Sequence, residues 1–115
     1  MKVIDHISKA DKALFSFEII PPLKGKSIED IYEGIEPLID FDPAFINVTY
    51  HREEYVYKKF PNDLLKKVSI RKRPGTVGIC AAITNRFGID TVPHLICGGF
   101  TAEETENALI DLRFL

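Results

Sequence analysis

The stretch Leu14–Pro22, LFSFEIIPP, decides the fold. From Ala13 to Ile20 bulky apolar residues alternate with other side chains, as in a β-strand. Pro21-Pro22 ends the strand, because proline has no amide proton to give to a ladder. Alternation places Phe15, Phe17 and Ile19 on one face and Ser16, Glu18 and Ile20 on the other. The run reads as a buried strand, and a buried carboxylate costs several kcal/mol unless it is partnered or held neutral. Glu18 is therefore the residue that asks for an explanation.

Working outward, SIEDIYEGIEPLID (27–40) puts Ile28, Ile31, Ile35, Leu38 and Ile39 on one helical face, with Ser27 and Asp30 spaced as a capping box. Pro37 predicts a kinked or short last turn. AFINVTY (44–50) is a second strand, rich in β-branched and aromatic residues. The polar stretch 51–73 follows, with Asn62 to Ile70 read as helical. PGTVGICAAITNRFG (74–88) is a second helix, closed by Gly88. DTVPHLIC (90–97) is a third strand despite Pro93, and TAEETENALIDLRFL (101–115) a third helix capped by Thr101 with Glu104 three residues on.

The order strand, helix, strand, helix, strand, helix, without a hairpin signal, predicts parallel strands with right-handed crossovers. The fold class is α/β: a parallel βαβαβα segment. Three parallel strands leave two open edges, and LRFL closes the sequence without a helix stop signal. A complete (β/α)8 (TIM) barrel takes about 250 residues. The expectation is that residues 1–115 form an N-terminal fragment of such a domain, its first three β/α units.

With 45% hydrophobic and 28% charged residues, the 115-residue chain has the composition of a folded globular domain. A net charge of −2 argues against non-specific nucleic-acid binding, and the basic run Arg71-Lys72-Arg73 reads as a solvated loop, with a phosphate contact as the alternative. The charged N-terminus lacks the apolar stretch of a signal peptide or membrane span, which favours the cytoplasm and no membrane partner. Cys80 and Cys97 show no ligand spacing and are expected to be reduced, mostly buried thiols, with no metal site.

Each predicted strand carries a polar residue near its C-terminal end: Glu18, Asn47 with Thr49, and His94. That end of an α/β sheet is where ligands bind. Taken singly, each has a plainer explanation. Glu18 suits a structural ion pair, His94 a satisfied core histidine, and Thr49 a good strand former. Three polar residues at matched positions on consecutive strands make a site the better reading. No nucleophile elbow, phosphate loop or dinucleotide fingerprint competes with it.

FSFEIIPP resembles the opening strand of methylenetetrahydrofolate reductases, typically S-F-E-F-F-P-P. INVTY resembles that family's V-x-V-T-Y, VPHLIC its P-H-L-x-C, and TAEETENAL the helix that follows. The matches come in the family's order and cover most of the chain. The resemblance implies a flavoprotein on a (β/α)8 barrel, passing hydride from NADH or NADPH through FAD to 5,10-methylenetetrahydrofolate and giving 5-methyltetrahydrofolate. By the same resemblance Glu18 is the acid that helps open the folate's five-membered ring. Burial that raises its pKa would fit a general acid at neutral pH. Thr49 matches a residue of the nicotinamide site, Tyr50 one that lines the flavin, and His94 a histidine that contacts the flavin.

His51-Arg52 stand where the family usually has small residues, and Arg52 is placed to reach a cofactor phosphate. The family's L-R-G-D motif would lie beyond Leu115, so the 115 residues alone are expected to hold little FAD and to be inactive. Two alternatives stay open. One is a non-enzymatic domain that buries its open edges by self-association as a homo-oligomer. The other is a barrel enzyme of different chemistry with Glu18 as general base.

Overall fold

Three short parallel strands form the sheet: β1 (Ser16–Ile19), β2 (Phe45–Val48) and β5 (Thr91–Pro93), in the order β1-β2-β5. The computed structural model describes residues 1–96 and 98–115, so the expectation for Cys97 lies outside the described residues. Ser16 pairs with Phe45 and Glu18 with Asn47, while Asn47 in turn pairs with Val92. The α/β class and the parallel order agree with the sequence expectation. The strands are shorter than expected, and β5 stops at Pro93.

The helices form where their caps direct. In α2 (Ile28–Ile35) the Glu29 amide donates to the Ser27 hydroxyl at 3.2 Å, and the Ser27 amide donates to the Asp30 carboxylate at 2.8 Å. Hydrogen bonding of the Glu29 carboxylate to the Ser27 side chain, and then to its own amide, holds the Glu29 carboxyl below its ordinary pKa. Pro37 tightens the chain after α2 into a 3-10 turn, Glu36–Phe41. Helix α3 (Thr76–Phe87) ends at Gly88, whose φ of 68° is the left-handed conformation that glycine adopts without strain. Helix α4 (Ala102–Leu112) has the predicted reciprocal cap: the Glu104 amide donates to Thr101 Oγ1 and the Thr101 amide to the Glu104 carboxylate.

One layer of apolar contact joins sheet and helices. Ile31 and Ile35 of α2, Ile46 and Val48 of β2, and Ile79, Cys80 and Ile83 of α3 make the buried core. Each fully buried isoleucine contributes roughly 1.5–3 kcal/mol relative to exposure. Tyr32 meets Phe87 edge-on at 5.5 Å and so links α2 to α3. Burial pushes the Cys80 thiol's pKa up, in keeping with a reduced structural cysteine. The opposite face of the sheet, carrying Ser16, Glu18 and Asn47, is not covered by these helices.

Three features correct the sequence reading. Residues 51–73 hold an antiparallel hairpin, β3 (Glu54–Lys59) and β4 (Leu65–Ile70), where a helix over Asn62 to Ile70 was expected. Asn62 and Asp63 at the tip adopt φ of 80° and 55°, which reverses the chain, and Val56 faces Val68 across the ribbon. The strands' β-branched and aromatic residues outweigh the helical preference of the lysines. Second, Phe15 is 63% exposed rather than packed beneath helices, although Phe17 does meet Phe41 at 6.2 Å. Third, an unanticipated helix α1 (Val3–Lys9) precedes β1. His6 Nε2 and the Met1 ammonium both lie 2.7 Å from Asp90 Oδ2, just before β5.

The basic run lies in a loop with Arg71 and Lys72 exposed, as expected. Arg71 pairs with Glu53 and Lys72 with Glu54, and Arg73 donates to the Pro21 carbonyl. The hairpin makes extensive contact only within itself. Its separation from the core accords with a radius of gyration of 17.5 Å, against roughly 13 Å for a compact chain of this length.

Candidate active site

The C-terminal ends of β1, β2 and β5 gather the polar residues singled out in the sequence. Parallel pairing carries Glu18 and His94 to either side of β2, whose carbonyl at Val48 accepts from the His94 amide at 2.9 Å. Glu18 Oε2 and His94 Nε2 stand 3.9 Å apart. That is too long for a hydrogen bond and leaves room for a third group to engage both. Between them Asn47 Nδ2 donates to the Phe17 carbonyl at 3.4 Å, tying β1 to β2 beneath the pair.

The burial expected of Glu18 is not met by these residues. Its side chain is 58% exposed and that of His94 38%. The alternating strand does put Glu18 among apolar neighbours in sequence, but those neighbours point to the other face. Period-two geometry therefore separates the acid from the core instead of enclosing it.

Thr49 continues β2 at this end. Its carbonyl accepts from Thr76 Oγ1 at 3.2 Å, which fixes the first turn of α3 against the sheet. Its own hydroxyl is buried and has no hydrogen-bond partner among the described residues. A buried, unsatisfied hydroxyl costs about 1–3 kcal/mol, so a partner from outside these residues would be stabilised there. Tyr50 follows, meeting Phe100 edge-on with centroids 5.3 Å apart. Burial, with the Glu53 carboxylate adding to it, pushes the Tyr50 phenol's pKa up, so the group stays a hydrogen-bond donor.

Tyr50, Arg52, His94 and Phe100 line a cleft of about 400 Å³, with the first turn of α3 and the inner side of α4 as its walls. The Arg52 guanidinium lies against Gly99, whose φ is +88°. A Cβ at position 99 would displace the flexible end of Arg52, and the positive φ is what favours glycine there. Three expected cofactor residues, Tyr50, Arg52 and His94, thus share one cleft, while Glu18 and Thr49 lie outside its lining. Phe100 and Thr76 were missed in the sequence. The available signal was position, since both follow closely on a strand or a loop at the ligand-binding end.

A second hollow of about 550 Å³ lies at the other end of the strands, bounded by His6, Phe15 and Asp90. In β/α folds that end serves stability rather than chemistry. Among the described residues no cluster of histidine, cysteine or carboxylate side chains is arranged to hold a metal, and no helix is long and apolar enough to cross a membrane.

Comparison with known proteins shows the family. The sequence model of the family described as methylenetetrahydrofolate reductase matches residues 2–114. The chain belongs to the methylenetetrahydrofolate reductase family. It is 26% identical over 116 residues to "Methylenetetrahydrofolate reductase (NADH) 1" of Arabidopsis thaliana, covering 98% of this chain and 17% of that protein. It is 28% identical over 94 residues to "5,10-methylenetetrahydrofolate reductase" of Buchnera aphidicola, covering 82% of this chain and 27% of the relative. The chain therefore spans about a sixth to a quarter of the length of these reductases. No solved structure matches it.

Proposed function

We propose that the chain forms the first three β/α units of a (β/α)8 barrel that reduces 5,10-methylenetetrahydrofolate to 5-methyltetrahydrofolate. The observation that carries this reading is the convergence of Glu18 and His94 across β2, on the strand end where family membership leads one to look. FAD is the proposed cofactor, and it supplies hydride transfer when bound. The fit rests on the Tyr50–Phe100 aromatic pair and the Arg52 cation, which share the cleft. Tyr50 would offer an aromatic wall and Arg52 would meet phosphate, while Thr49 is proposed for the nicotinamide site. NADH or NADPH is the reductant, and the name of the Arabidopsis relative favours NADH.

Glu18 serves as proton donor to the folate ring. Its carboxyl proton leaves from Oε2 toward the ring nitrogen, and the carboxylate left behind faces His94 Nε2. An imidazolium at His94 would stabilise that carboxylate, and a neutral one would accept a hydrogen bond from water between them. The enclosure that would tune Glu18 comes from the folate and from the strands that complete a barrel.

The test is Glu18→Gln in the complete protein. Folate-dependent nicotinamide oxidation should fall by roughly a hundredfold or more, the scale of a lost general acid, with flavin content unchanged. Turnover near that of the parent protein would overturn the assignment.

A further inference from the structure

The hairpin contributes no residue to the buried core and makes extensive contact only within itself among the described residues. An isolated two-stranded ribbon is marginal in water, and this one places Lys58 directly opposite Lys66. The three carboxylates of the segment are already engaged: Glu53 by Arg71, Glu54 by Lys72 and Asp63 by Lys59. Lys58 and Lys66 therefore face no carboxylate among the described residues. On the same face stand Phe60 and Leu64, 46% and 66% exposed, which pair to close the tip through the Phe60 amide and the Leu64 carbonyl. The segment Arg52–Arg73 holds eight basic and three acidic residues, a net +5 in a chain of net −2, so the rest of the chain carries −7.

That negative charge is densest on α2 and the turn after it. Six carboxylates and no basic residue lie between Ser27 and Asp42. Asp30 is paired with Lys26 and Glu36 with Arg86; of the four carboxylates left without an ion pair among the described residues, Asp40 and Asp42 lie in and after the 3-10 turn, and Glu29 and Glu33 stand exposed on α2 itself. They are four residues apart on the side of α2 turned away from Ile31 and Ile35, with Cβ atoms about 5–6 Å apart. Residues directly opposite on a hairpin have Cβ atoms about 4.5–5.5 Å apart. The two like-charge pairs are of matched spacing and opposite sign, and each is unfavourable until the other covers it.

We propose that the β3–β4 arm of one copy docks on helix α2 of a second copy, Lys58 and Lys66 meeting Glu29 and Glu33. A reciprocal contact made twice about a twofold axis uses both arms and closes the assembly at two. The lysines that guard the ribbon's edges against strand addition make docking through its face the favoured mode.

The experiment is sedimentation equilibrium on the complete protein at varied salt, with two charge-reversed variants. Lys58→Glu/Lys66→Glu and Glu29→Lys/Glu33→Lys alter exposed residues only and have no bearing on the cleft. The parent should self-associate, with a dissociation constant rising roughly tenfold or more between about 50 mM and about 0.5 M salt. Each variant alone should lose this association step, and an equimolar mixture of the two should regain it, because every arm then meets a helix of opposite charge. Association of either variant at parental strength, or failure of the mixture to associate, overturns the proposal. A salt-insensitive parental monomer overturns it too. So does a parent that stays monomeric but binds phosphatidylserine vesicles through Lys58 and Lys66, which would make the arm a membrane contact. The neutral variant Lys58→Gln/Lys66→Gln, expected to weaken association to an intermediate degree, checks that loss in the reversed arm is not misfolding.

Discussion

Single side chains in this chain divide sharply between those that hold the strands and those that are held out for chemistry. Asp90 belongs to the first kind. The Met1 ammonium and then His6 keep its carboxyl below the ordinary carboxylate pKa. A carboxyl depressed in the folded state contributes stability above its unfolded pKa of about 4, and the contribution is lost as pH falls through the lower folded value. Asp90→Asn should cost about 0.5–1 kcal/mol at neutral pH, a partly exposed pair being worth no more. The difference between variant and parent should shrink in urea titrations as pH falls below about 4. Gly99 lies nearer the cleft. Gly99→Ala imposes a positive φ on a residue with a side chain and pushes against Arg52, so stability should fall by about 1–2 kcal/mol. An unchanged urea midpoint would mean that the loop relaxes without strain.

Helical elements were the legible part of the sequence because their signals are local. Ser27 with Asp30, Thr101 with Glu104 and Gly88 each announce a helix end within four residues, and each makes the predicted contact. Thr101→Ala should therefore lower stability by about 1 kcal/mol, measured by chemical denaturation, since it removes one half of a reciprocal cap. Ile83→Ala, in the buried face of α3, should cost roughly 2–5 kcal/mol by the same measure. The hairpin was illegible for the opposite reason. Its lysines at 58, 59, 66 and 67 interrupt the short apolar runs and leave no clear period of two, and its turn uses Pro61-Asn62-Asp63 rather than a two-residue Asn-Gly. Of the candidate site, the strand-end residues Glu18, Thr49 and His94 could be read from period two. Which of them share a cleft could not, because that depends on where α4 and the loop after β5 come to rest.

At the scale of the whole molecule, one face of the sheet is finished and the other is not. Helices α2 and α3 bury Ile46 and Val48 completely, whereas the face bearing Glu18 meets no described helix of the core. Ile20 and Leu14 remain 60% and 39% exposed beside it. A parallel sheet is stable with both faces covered, so a barrel that continues past three strands would complete both the core and the site. The same geometry bears on cofactor binding. Tyr50, Arg52 and His94 line one side only, and a flavin held from one side would keep much of its surface in water. Ligand sites that hold molecules of drug size or larger bury about 70–90% of the ligand's surface. The 115 residues expressed alone should therefore purify without stoichiometric flavin and show no folate-dependent nicotinamide oxidation, while the complete protein is yellow. Absorbance near the flavin bands after gel filtration reads the outcome directly. A one-to-one flavin complex of the short chain would mean that the cleft beside Tyr50 and Phe100 is already a sufficient site, and that the open face of the sheet is not where the cofactor is held.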